Sequence, residues 1–252
     1  MFLAIDIGNS NITIGTFVGD NIEFITRIAT DKSKTPDQYA VELKLLFSLY
    51  NCDTGSVKSA AISSVVPELS EKIRSAVNTV TGINAEILSA DVNTKMKILI
   101  DNPKQLGSDL LAGCVGAASL YSLPCIVIDL GTASKVSIID KNGNFKGCAI
   151  APGIGISLDA LSEKTSQLPN ISLETPSHSI GTNTNDSMRS GTVFGFASMI
   201  DGLCDRFEEE LGEGVCSVVA TGGLAEDLIK SCKRDIKYNK ELILYGLKVL
   251  FG

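Results

Sequence analysis

The sequence predicts an α/β protein of two similar domains, each opening with a βββ meander and flanked by helices. Three observations carry this expectation. Residues 3–10, LAIDIGNS, and residues 126–133, IVIDLGTA, repeat one pattern about half a chain apart: a short apolar strand, an aspartate, an apolar residue, glycine and a small polar pair. Each copy runs into alternating apolar and polar residues, NITIGTFVGDNIEFITRI and KVSIIDKNGNFKGCAIAP, broken by the turn signals Gly19-Asp20-Asn21 and Asn142-Gly143. Segments of helical spacing fill the remainder. The expected division falls between residues 1–122 and 123–252.

In chain order, Thr35-Pro36-Asp37-Gln38 is a capping box with proline at the first helical position, leading into an apolar face of Tyr39, Leu43, Leu46 and Leu49 or Tyr50. A second helix is expected over 67–81, between a strand at AAISSV and a short strand near AEILSA, residues 85–90. A third runs from about Ser108 to Tyr121. The longest spans 184–211, where Val193, Ala197, Ile200, Cys204, Phe207 and Leu211 recur at steps of four and three. Gly191 and Gly195 on it permit close approach of another backbone, either a partner subunit's or the core's own. The stretch SVVATGGLAEDLIKSC reads as strand, Gly222-Gly223 turn and helix, and KELILYGLKVLFG as a closing helix.

Composition narrows the function. The chain has 252 residues, 44% hydrophobic and 20% charged, and a net charge of −7 without a basic run, which speaks against a nucleic-acid groove or an anionic membrane surface. No window approaches the roughly 18 uninterrupted apolar residues of a membrane span, and MFLAIDIGNS carries no basic leader, so a cytoplasmic location is expected. The seven cysteines are odd in number, lack CxxC spacing and mostly sit in apolar stretches, which suggests buried free thiols. One histidine, His178, rules out a multi-histidine metal site and disfavours Ser/His/Asp and Cys/His hydrolysis. Acid–base chemistry is left to carboxylates, lysines or water.

A glycine after an Asp-bearing strand permits a tight turn whose backbone N–H groups face an anion, and Asn9, Ser10, Asn11 and Thr13 add short donors. The turn at Asp129 and Gly222-Gly223 make three glycine turns at strand ends, able to converge on one nucleotide. Asp6 and Asp129 would hold hard cations near its phosphates, because such cations prefer oxygen ligands. The alternative is that each aspartate simply caps its turn. A P-loop and a complete GxGxxG are both absent.

Paired βββ-α units with DxG turns resemble the acetate-kinase, sugar-kinase, heat-shock chaperone and actin superfamily. Within it, DIGNSNITIGTF, RIATDKSKTPDQYA, SSVVP, DNPKQLGSDLLAG, IDLGTASKVSIID, AIAPGIGISLDALSEKTSQLP, IGTNTNDSMRSGTVFGFASMIDGL and VVATGGLAEDL resemble, in order and across the chain, type III pantothenate kinase. The resemblance implies two ribonuclease H-like, actin-like ATPase domains, each a mixed five-stranded sheet, around an ATP cleft. It also implies transfer of the ATP γ-phosphate to pantothenate at the start of coenzyme A synthesis, a homodimer, Mg²⁺ and a monovalent cation, K⁺ or NH₄⁺.

Carried over by position, the first phosphate motif falls on Asp6, Ile7, Gly8, Asn9, Ser10, Asn11, Ile12 and Thr13, and an ATP contact falls on Thr132. The catalytic base falls on Asp109, which read alone could equally be an N-cap. Substrate positions fall on Ile100, Gly107, Ser108, Asp109, Leu110 and Thr184, and metal positions on Asp129 and Asp6. Three departures from the family pattern involve four residues. Leu110 replaces the usual Arg, Ile100 the usual Tyr, and Ser134-Lys135 two threonines. Leucine cannot clamp an anion as a guanidinium does, and Lys135 either supplies the missing charge or is a solvated surface lysine. A phosphotransferase acting on another small alcohol and a non-catalytic nucleotide-binding regulator are the other readings.

Overall fold

Strand β1 (Phe2–Ile7) is almost wholly buried, with Leu3, Ala4, Ile5 and Ile7 at zero exposure, as a central strand covered on both faces requires. In the computed structural model, which describes residues 1–89 and 91–252, it pairs antiparallel with β2 (Asn11–Val18), which pairs with β3 (Asn21–Ala29) across the turn at Gly19, φ 58°. On its other side β1 pairs parallel with β4 (Ser59–Ser64), and β4 with β5 (Glu86–Ile87), giving the order β3-β2-β1-β4-β5. The short strand expected near 85–90 is β5; Ala90, its last expected residue, lies outside the described residues.

The second sheet repeats this plan. Strand β6 (Cys125–Leu130) pairs antiparallel with β7 (Ala133–Ile139), β7 with β8 (Phe145–Pro152), and β6 parallel with β9 (Ser217–Thr221), which carries β10 (Lys237–Tyr238). Read from β8, the order matches that of the first sheet strand for strand. The repeated aspartates therefore occupy equivalent sites, each next to the last residue of its central strand.

Helix α1 (Pro36–Leu49) starts on the expected capping box: Thr35 Oγ1 accepts from the Gln38 amide at 3.3 Å, and Gln38 Oε1 accepts from the Thr35 amide at 2.9 Å. Its buried face is Tyr39, Ala40, Leu43 and Phe47, with Leu46 partly buried. Leu49 and Tyr50 are exposed, a correction that follows from the 3.6-residue period, which carries the stripe from 43 to 47. Helix α2 (Pro67–Thr81) ends at Gly82 in the left-handed conformation. Helix α3 (Ser108–Leu120) closes one residue earlier than expected.

The sequence signals missed α4 (Ile154–Lys164), in which only Ile154 is buried. Helix α5 (Thr184–Leu211) runs from an Asn183 cap to Gly212, φ 74°. Gly191 and Gly195 are exposed, with no described atom within 4 Å of where their Cβ would lie, so core packing is not their use. Helix α6 (Ala225–Leu228) is a single turn, and α7 (Leu242–Phe251) closes the chain.

The described residues form two compact units, 1–95 with 101–119 and 242–252, and 96–100 with 120–241. The single cut expected after residue 122 thus differs in two pieces. Residues 96–100 join the second unit through the Ile98–Phe145 bridge, and α7 joins the first by packing on β1 and β4. The close fit of α7 needs glycine: a Cβ on Gly246 would come within 1.8 Å of the Ala112 carbonyl oxygen, and one on Gly116 within 2.3 Å of that of Leu242.

The thiols are less uniformly buried than expected. Cys114, Cys125 and Cys204 are buried, Cys52 and Cys232 half-buried, and Cys148 and Cys216 exposed. Burial pushes the thiols of Cys125, Cys204 and Cys232 up to about 12, which keeps them protonated at neutral pH. Among the described residues no helix is long and apolar enough to cross a membrane.

Candidate active site

In the first unit, residues 8–11 form the turn between the paired residues Ile7 and Ile12. The Gly8 amide donates to the Asn11 carbonyl at 2.9 Å, and from the end of β3 Thr30 fastens the turn twice, Oγ1 to the Gly8 carbonyl at 2.7 Å and amide to the Ser10 carbonyl at 3.0 Å. Asn9, Ser10 and Asn11 face solvent with their donors, while Ile7 and Ile12 are fully buried and contribute only backbone and anchorage. Asp6 is half-buried, with Thr13 opposite it on β2 and buried Ser63 opposite it on β4. Directly opposed residues share a face, so the carboxylate sits in a row of oxygen-bearing side chains.

Asp109 reaches the same sheet through its neighbour. Ser108 Oγ donates to the Ser64 carbonyl at 2.9 Å and accepts from the Ser64 amide at 3.0 Å, with Ser63 Oγ 3.3 Å away. This pins the start of α3 to the end of β4, the strand beside β1. Asp109 lies inside the first turn rather than at the cap, half-buried, its Oδ1 2.8 Å from the Leu110 amide. A carboxylate there is favoured by the unpaired N–H groups of the helix start. Gly107 leaves room for it: a Cβ would come 2.7 Å from Asp109 Oδ1. Leu110 is half-buried.

In the second unit, residues 131–133 form the turn between the paired residues Leu130 and Ser134, one residue fewer than in the first. The Gly131 amide donates to the Ala133 carbonyl at 3.2 Å, and Thr132 is exposed on the turn. Two further glycines close on it. A Cβ on Gly222, φ 101°, would meet the Leu130 carbonyl oxygen at 2.4 Å, and one on Gly153 that of Thr132 at 2.2 Å. Gly153, at the N-cap of α4, was not singled out from the sequence, although Pro152-Gly153 is a breaker signal at a strand end.

Asp129 is flanked by Lys135 on β7 and by buried Thr221 on β9. Lys135 is not a solvated surface lysine. Its Nζ stands 2.7 Å from Asp129 Oδ2, and both side chains are only 16% exposed. Ser134 points the other way, into the core, 2% exposed and with its hydroxyl unpaired among the described residues.

Thus the structure joins Asp6, the 8–13 turn and residues 107–110 within one unit, and Asp129, Thr132, Gly153 and Gly222 within the other. Ile100 belongs to the second unit, next to Leu99, whose amide donates to the Phe145 carbonyl at 2.8 Å. Thr184 is exposed at the first residue of α5, where Asn183 Oδ1 accepts from the Asp186 amide at 2.9 Å.

Two sheets of one topology, each ending its central strand in an aspartate and a glycine turn, define the class: an actin-like ATPase fold of two ribonuclease H-like domains. Solved structures agree. The chain is similar to a Baf family transcriptional activator from Campylobacter jejuni (TM-score 0.62, 20% identity, 98% of this chain and 96% of that one). It is also similar to the (R)-2-hydroxyglutaryl-CoA dehydratase component A of Acidaminococcus fermentans (TM-score 0.59, 16% identity, 99% and 95%).

The family model for type III pantothenate kinase matches residues 2–206. Relatives that carry this name include those of Shouchella clausii, 40% identical over 252 residues (100% of this chain, 98% of the relative), and Thermus thermophilus, 38% identical over 250 residues (98% and 97%). The chain belongs to the type III pantothenate kinase family.

Proposed function

We propose that the protein transfers the γ-phosphoryl group of ATP to the primary hydroxyl of pantothenate, giving 4'-phosphopantothenate for coenzyme A synthesis in the cytoplasm. The observation that carries the reading is the tether of Asp109: Ser108 holds it against the strand next to the Asp6 turn, in the unit that holds the phosphate cradle. The pantothenate oxygen attacks the γ-phosphorus, the bond to the β,γ-bridging oxygen breaks, ADP leaves, and the hydroxyl proton passes to Asp109. Backbone N–H groups and the Asn9, Ser10, Asn11 and Thr13 side chains receive phosphate oxygens. Thr132 is the proposed ATP contact of the β6–β7 turn, and Ile100, residues 107–110 and Thr184 are the proposed acceptor contacts.

The donor set around Asp6, one carboxylate with Thr13 and Ser63 hydroxyls, suits Mg²⁺, which takes few protein oxygens and shares the rest with phosphates and water. Asp6 would hold it, and it would offset charge on the transferring phosphoryl group. The monovalent cation implied at Asp129 does not fit in the same way, because the Lys135 ammonium already stands there. A homodimer is part of the proposal, supported by the open face at Gly191 and Gly195 of α5. Sedimentation of Gly195→Arg against the unaltered chain tests it.

The reaction is tested by ADP release with ATP and Mg²⁺, with and without millimolar pantothenate. Pantothenate-dependent release is expected, falling about 10²–10⁴-fold in Asp109→Asn. ATP binding without pantothenate-dependent release would overturn the reading in favour of another small alcohol, to which the apolar pair Leu110 and Ile100 is better suited.

A further inference from the structure

Asp129 and Lys135 are direct partners in the β6–β7 ladder, so the 2.7 Å contact between them is set by backbone register rather than by a chance rotamer. Both are largely enclosed, Thr221 closes the β9 side, and the pair lies one residue before the Leu130-Gly131-Thr132 turn, on which Gly153 and Gly222 converge. A lone carboxylate at this point would repel an incoming polyphosphate. The ammonium cancels that charge, and as a compact point charge it engages oxygen much as a small monovalent ion does. It is also tethered. A dissolved ion competing for Asp129 faces an ammonium whose effective concentration is in the millimolar range or above, and it would have to enter beside a like charge.

We propose that Lys135 is a covalently attached substitute for the monovalent cation, a positioning residue that makes nucleotide use by this protein independent of K⁺ and NH₄⁺. The proposal rests on the kinase reading for the place of Asp129 beside the nucleotide. The departure at Lys135 is then a gain of a built-in ion rather than a lost phosphate contact.

The test replaces KCl and NH₄Cl with choline chloride at constant ionic strength, in two assays on the full chain. In pantothenate-dependent ADP release, the unaltered protein is expected to vary by less than about twofold among the three salts. Lys135→Thr, the family's usual residue, should lose about tenfold or more in choline and regain it in KCl. In thermal unfolding with ADP present, KCl should leave the Tm of the unaltered protein where choline puts it and raise that of Lys135→Thr by about 2–4 °C. Tenfold activation of the unaltered protein by K⁺, a K⁺-dependent rise in its Tm, or a folded Lys135→Thr that ignores K⁺ in both assays would overturn the proposal. Should that variant not fold, the unaltered protein's response to K⁺ decides. If pantothenate is not phosphorylated at all, the kinase reading fails while the melting series still answers the question about Lys135.

Discussion

The β1–β2 turn and the β6–β7 turn occupy the same place in two sheets of the same strand order, and each follows an aspartate. They differ in what faces that aspartate. Asp6 meets Thr13 and Ser63; Asp129 meets Lys135 and Thr221. They differ too in how the neighbouring parallel strand ends, for β4 grips Ser108 and so presents Asp109, whereas β9 ends in Gly222. A duplicated scaffold fixes where an acid is placed. On the proposed function, the residue opposite it decides whether the acid is open to a divalent ion or is half of a neutral pair.

The strongest way to break the contrast is to copy the second turn into the first. Thr13→Lys should place an ammonium against Asp6 and lower turnover by about 10²-fold, through loss of the divalent site, with folding intact by circular dichroism. Retained turnover would mean that Asp6 is not where the divalent ion acts. A comparison of stability comes next. Gly222→Ala puts a side chain at φ 101° and 2.4 Å from the Leu130 carbonyl oxygen, and should cost about 3 kcal/mol in urea unfolding. Gly8→Ala, with ordinary φ and only a 3.0 Å contact to the Asn11 carbonyl oxygen, should cost less than about 1 kcal/mol. Equal costs would show that the two turns are equally strained.

Ser108→Ala removes the grip on Ser64 in the first unit. It should lower stability by about 1–2 kcal/mol and kcat more than KM, since Asp109 loses its positioning. The smallest effect concerns acid. In the second unit the Glu208 carboxyl is held below its usual 4.5 chiefly by the hydrogen bond from Arg234; burial opposes this, and the Val215 amide adds to it. A depressed folded value means that this stabilisation is complete above 4.5 and is lost as pH falls through the lower value. Urea midpoints above and below that range should therefore converge in Glu208→Gln, by less than about 1 kcal/mol. The first unit's Asp20–Lys248 pair, with Asp20 fully in solvent, should show no such difference.

Much of this was legible in the chain because the repeat is literal, with two DxG turns and two alternating meanders, and because Thr35 caps α1 and the apolar stripe of α5 is long. Helix α4 was not legible, since Gly153-Ile154-Gly155 opens it with poor helix formers and a single buried side chain gives no stripe. Strand β10, Lys237–Tyr238, is too short for any period to show. The ion pair was hidden for a subtler reason. With a turn as long as that of the first unit, Asp129 would oppose Val136, and Lys135 would oppose Leu130. The turn at 131–133 is one residue shorter, and that single residue brings Lys135 to Asp129.

The closing helix carries a consequence for how the protein is made. Residues 242–252 complete the first unit, with Gly246 lodged against Ala112 and Leu244 over Gly15. On the ribosome, the unit that holds Asp6 and Asp109 is synthesised early but lacks this packing layer until residues 242–252 have emerged. Residues 120–241 can therefore finish folding first, and the nascent chain must shelter an exposed apolar sheet face until α7 is made.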